Sequence, residues 1–172
     1  TASGDAKALA AQVANNPNIT FVKPATAEQL RIFSSGGQVV DSCGKPMTVS
    51  KHLLGALQAN STKYKILINN IGFQQDRSMC QAGTAQHPKG TAVDINDIEI
   101  IGGANTGGSI RLPGSDLPIV NQYATDFLAK LPCNRGGVGQ KDYGVNPTFP
   151  PCSTNVNGSA LFDDAGNHLH ID

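Results

Sequence analysis

The chain ends in HLHID, and these five residues alternate polar and apolar without interruption. In an extended strand, successive side chains point to opposite faces. His168, His170 and Asp172 therefore share one face, with Leu169 and Ile171 on the other. Two imidazoles on one strand face make poor core packing, yet they suit a metal ion. A second stretch, HPKGTAVDI at residues 87–95, carries the same chemistry. TAVDI reads as a strand, with Ala92 and Asp94 facing one way and Thr91, Val93 and Ile95 the other. Gly90 lets the preceding loop double back, so that His87 and Asp94 converge. Three of the four histidines thus fall in two short places. The fourth, His52, is expected to be a surface or helix-packing residue.

The other elements are short, as 19 glycines and 10 prolines require. DAKALAAQVAN at residues 5–15 has helical apolar spacing and stops at Asn15-Asn16-Pro17. ITFV follows as a short strand. Thr26 and Gln29 stand at capping-box spacing ahead of a second helix, TAEQLRIF, which ends at SSGG. Ser50 caps a third, KHLLGALQAN, whose Leu53, Leu54 and Leu57 form one apolar face. YKILINNIGF reads as a core strand, residues 74–86 as a polar loop, and IEII as a strand separate from TAVDI. LPIVNQYATDFLAKL has the strongest helical periodicity. A long irregular loop follows, and ALFDDAGNHLHID predicts a hairpin around Asp-Ala-Gly-Asn. The expected fold class is α+β, with helices packed on a small, largely antiparallel central sheet. One domain over residues 1–172 is expected, with 1–40 as its N-terminal helical segment.

Thirteen basic and thirteen acidic residues cancel, so the basic excess of a nucleic-acid binder is missing. No apolar run is long enough to cross a bilayer as a helix. TASGDAKALA lacks a basic start and an apolar block, so a mature, soluble chain is expected. Cys43, Cys80, Cys133 and Cys152 are widely spaced, without the close pairs of zinc ribbons and redox motifs. An even number at wide spacing suits two disulfides and a secreted protein. Of the possible pairings, the non-overlapping Cys43–Cys80 and Cys133–Cys152 is favoured; four reduced, buried thiols are the alternative. Each bridge would contribute roughly 3 kcal/mol in the loop-entropy account.

Catalytic zinc takes protein nitrogen and oxygen ligands and keeps one position open for water. His87, Asp94 and one histidine of the closing pair supply such a set, leaving the other histidine beside the water to transfer protons.

HPKGTAVDI resembles the HxxGxAxDI signature of the zinc peptidases related to D-alanyl-D-alanine carboxypeptidases, lysostaphin-type endopeptidases and hedgehog domains. HLHID is similar to the HxHxD ending of the carboxypeptidase-like branch. The resemblance implies a small α+β fold with a central antiparallel sheet, and cleavage of peptide bonds in bacterial peptidoglycan. It implies His87, Asp94 and His170 as zinc ligands and His168 as the proton-transferring residue. Another branch places an acidic base three residues before the last ligand; here that position is Asn167, whose amide is no base. Arg77 in GFQQDRSMC matches an arginine that grips a substrate carboxylate, and an arginine fork suits that task. Where the family often has a serine, two residues before the first histidine, this chain has Ala85. Asp172 is a candidate outer partner that orients an imidazole.

The function expected is a secreted, monomeric zinc metallopeptidase acting on peptidoglycan peptides, with no nucleic-acid or membrane partner. The alternative is a non-catalytic cell-wall or ligand binding module in which zinc holds the fold together.

Overall fold

The computed structural model describes residues 2–40, 44, 46–72, 90–103, 108–132, 136–150 and 161–172. In chain order these form α1 (Ala2–Ala14), β1 (Ile19–Phe21), α2 (Pro24–Ser34), β2 (Val39–Val40), β3 (Pro46–Met47) and α3 (Lys51–Asn60). β4 (Tyr64–Ile71), β5 (Val93–Ile100), α4 (Leu117–Leu128), a turn of 3-10 helix at Lys141–Tyr143 and β6 (Leu169–Ile171) complete them. The main sheet has the order β1-β4-β5-β6. β1 runs parallel to β4, and the other neighbours are antiparallel. The protein is therefore mixed α and β with a small, mostly antiparallel sheet. β2 and β3 form a separate ribbon that the sequence did not suggest. No helix among the described residues is long and apolar enough to cross a membrane.

The helices bury the faces their periodicity predicts. α1 buries Ala6, Ala10, Val13 and Ala14, small side chains that let it lie against both α2 and α3. Ser50 caps α3 through a hydrogen bond from the His52 amide, and Leu53, Leu54 and Leu57 are buried. Burying a leucine fully contributes about 1.5–3 kcal/mol. α4 buries Val120, Tyr123, Ala124, Phe127 and Leu128 and stops at Leu128 rather than Leu131. α2 departs from expectation. It starts at Pro24, the residue type best suited to a first helical position, and has no side-chain cap. Thr26 therefore lies inside the helix, buried, and makes no capping box with Gln29.

Two further corrections concern the sheet. TAVDI and IEII belong to one strand, β5, rather than two. Pairing with β4 passes from Leu67↔Asp97 to Ile68↔Ile95 and so skips Asn96, a bulge residue whose carbonyl accepts from the Ile110 amide at 2.6 Å. An extra residue shifts the phase of the alternation, so Ile95 and Ile98 both reach the core. That shift breaks the period-two pattern in the sequence. Among the described residues the closing hairpin is not formed either. β6 pairs with β5, in the register Val93↔Ile171, Asp94↔His170 and Ile95↔Leu169. Its other edge is occupied by residues 137–139, while Leu161 makes only a single bridge to Val138.

Gly90 explains its own place in HPKGTAVDI. Its φ is 78°, and a Cβ there would overlap the Thr48 carbonyl. Its own carbonyl accepts from the Ser50 amide at 2.7 Å, tying the start of β5 to the start of α3. A left-handed backbone alone costs an L-residue about 1–2 kcal/mol. With the backbone clash added, Gly90→Ala is expected to destabilise the fold by more than about 2 kcal/mol, read from denaturant unfolding. An unchanged midpoint would contradict this account.

Candidate metal centre

The ladder places Asp94 opposite His170 on one side and opposite Asn70 on the other. These polar residues form one row across three strands. Val93, Ile95, Leu169 and Ile171, their neighbours in sequence, point the other way and are fully buried. Asp94 Oδ1 lies 2.8 Å from His170 Nδ1. Asn70 Nδ2 donates to Asp94 Oδ2 at 3.2 Å, and Lys23 Nζ donates to Asn70 Oδ1 at 3.0 Å. Asn70 owes its position to a second bulge, since the β4–β5 pairing also skips Asn69. Bulges commonly re-aim a side chain beside a functional site.

His168 joins the row from the residue before β6. Its Nε2 is 3.7 Å from Asp94 Oδ1 and 3.4 Å from Asp164 Oδ2. Its Nδ1 is 2.9 Å from Asn167 Oδ1, an oxygen that only accepts. In the tautomer with its proton on Nδ1, His168 donates to Asn167 and leaves Nε2 available to a cation or a proton between the carboxylates. One ligand atom from each of Asp94, His168 and His170 lies within 4.8 Å of the others, so these three residues form a group able to hold a metal ion. A carboxylate oxygen with imidazole nitrogens is a donor set that zinc accepts.

Both nitrogens of His170 face carboxylates: Nδ1 meets Asp94, and Nε2 lies 3.5 Å from Asp172 Oδ2. Asp172 is held in turn by the Gly137 amide, which donates to its Oδ1 at 3.1 Å. Burial alone would lower the imidazole pKa, but Asp172 and Asp94 outweigh it and raise the value from 6.5 to about 9. A histidine raised in this way stabilises the metal-free fold fully below the unfolded pKa of 6.5. The contribution is lost as pH climbs through about 9. The melting temperature of chelator-treated protein is therefore expected to fall between these limits, with His170→Gln flattening the profile. A flat profile in the unsubstituted protein would contradict the paired arrangement.

Of the residues singled out from sequence, the structure brings together Asp94, His168, His170 and Asp172. His87, Arg77, Cys43, Cys80, Cys133 and Cys152 lie outside the described residues, as does the loop expected at 74–86. His52 sits in the first turn of α3, partly buried, lining a small cavity with Ser50, Leu53, Thr91, Leu131 and Asp172. Three contributors escaped the sequence reading. Asn70 was signalled only by the double asparagine that interrupts an apolar strand. Asp164 sat in a segment read as a turn, and Gln140 carried no local signal at all. Comparison of the chain with family models, with curated proteins and with solved structures finds no match.

Proposed function

We propose that this chain is a zinc metallopeptidase acting on peptide bonds of bacterial peptidoglycan. One observation carries the reading. The strand register pairs the aspartate of HPKGTAVDI with the second histidine of HLHID, 2.8 Å apart, with the first histidine beside them. On the resemblance, His87 completes the ligand set with Asp94 and His170, and Arg77 takes a substrate carboxylate. A zinc ion held there would supply the Lewis acidity to acidify water and polarise a carbonyl. In the tautomer that donates from Nδ1 to Asn167, His168 takes a proton at Nε2 and passes it to the departing amine. Asp94 and Asp164, beside Nε2, stabilise the imidazolium formed on the way. Asp172 and Asn70 hold His170 and Asp94 in orientation, as outer partners of metal ligands do.

The test is release of amines from purified peptidoglycan and from short peptides ending in D-alanine, with and without a chelator. Hydrolysis that the chelator abolishes and zinc restores is expected. A zinc-loaded protein inert on every wall peptide, yet sedimenting with the wall, would replace the peptidase by a binding module.

A further inference from the structure

Gly137 to Gln140 run along the outer edge of β6 and contact Asp172, His170 and the loop that carries Asp164. The Gly137 amide donates both to the Asp172 carbonyl at 3.0 Å and to its Oδ1. The Gly139 amide donates to the His170 carbonyl at 2.9 Å. A Cβ on Gly139 would stand 3.2 Å from Asp164 Cβ and 3.3 Å from His170 Cβ, so the backbone passes at close range. Gln140 then turns the chain with a φ of 63°, a left-handed conformation unusual outside glycine, and its side chain is completely buried. Both ends of its amide are used. Oε1 accepts from the His170 amide at 3.0 Å, and Nε2 donates to the Ala165 carbonyl at 3.1 Å. One side chain therefore spans from the strand that carries His170 to the loop that carries Asp164 and leads into His168.

We propose that Gln140 is a positioning residue of the metal centre, its amide setting the distance between His170 and the Asp164–His168 loop. This rests on metal binding at the centre built around Asp94 and His170, with His168 beside them, and is independent of whether the protein hydrolyses anything. Without the clip, the bridge from the His170 amide to the Ala165 carbonyl is lost. The imidazoles and carboxylates then keep their identity but lose their spacing. A buried amide satisfied at both ends is costly to replace and fixes geometry for the same reason.

Cobalt(II), whose visible spectrum reports coordination geometry, is the probe. Wild type is compared with Gln140→Met, similar in length but without hydrogen bonds. The second variant is Gln140→Asn, tolerant of left-handed backbone but one methylene too short to bridge both partners. Leu54→Ala, which removes buried apolar volume from α3 but no polar group of the centre, is the control. Both Gln140 variants are expected to bind cobalt about 10–100-fold more weakly, the range for outer-shell partners, with an altered spectrum. Leu54→Ala should melt earlier yet keep the wild-type spectrum, and one folded Gln140 variant is enough for the comparison. Unchanged affinity and spectrum in a folded Gln140 variant would overturn this proposal alone. Failure of the wild type to bind cobalt would overturn it together with the metal centre.

Discussion

Asp94→Ala is expected to empty the metal centre. Asp94 is the only carboxylate in the group of three, and its Oδ1 is the atom both imidazoles face, 2.8 Å from His170 Nδ1 and 3.7 Å from His168 Nε2. Alanine removes a ligand and the negative charge it brings in one step, while leaving the strand pairing intact. The loss in zinc affinity should exceed the roughly 10–100-fold that an outer-shell partner is worth. Asn70→Ala, which leaves every metal donor in place but removes one hydrogen bond to Asp94 Oδ2, should fall within that range. Metal content after dialysis and competition against a chelating dye measure both. Wild-type protein should carry about one zinc per chain, as a catalytic site of this donor set implies. An Asp94→Ala protein that retains as much zinc as the wild type would remove the centre from consideration.

His168→Ala and His170→Ala are expected to fail in different ways, although the two residues are neighbours on one strand face. His170 is locked between Asp94 and Asp172, whereas His168 Nε2 stands farther off, between Asp94 and Asp164. Removing His170 should release the metal and lower stability together, because ligand binding and folding are coupled. Removing His168 should leave zinc content and melting temperature nearly unchanged. Hydrolysis should nonetheless fall by about 10²–10⁴, the usual worth of a positioned acid–base group. Measuring metal content and peptide hydrolysis on the same preparations separates the roles. If His168→Ala loses zinc as completely as His170→Ala, His168 is a ligand. The proton-transfer role then passes to Asp164, 3.4 Å from it.

Local pattern was enough for some of this protein. Alternation in HLHID and TAVDI placed the polar and apolar sides of β6 and of the start of β5, Val93 to Ile95, correctly, because the pleat forces neighbouring side chains to opposite faces. Ser50 announced α3, since a side-chain oxygen before an apolar helix answers amides that nothing else can. The faces of α1, α3 and α4 were legible for the same reason: a period of 3.6 residues is written into the sequence itself. His168, His170, Asp94 and Asp172 stood out as chemistry in search of a common place.

The common place itself was decided only by tertiary structure. Nothing local says that β6 pairs with β5 rather than folding back on residues 160–163; the matched rows Val93↔Ile171 and Ile95↔Leu169 decide it, by burying apolar pairs. The bulges at Asn69 and Asn96 are likewise invisible to a period-two pattern, since a bulge exists only relative to a partner strand. Asn70, Asp164 and Gln140 serve the centre from three separate parts of the chain, brought together by packing alone. Sequence determined which residues have the chemistry and which face they occupy, because those depend on neighbours a few positions away. Distance between strands depends on contacts among residues tens of positions apart, and the fold alone supplied it.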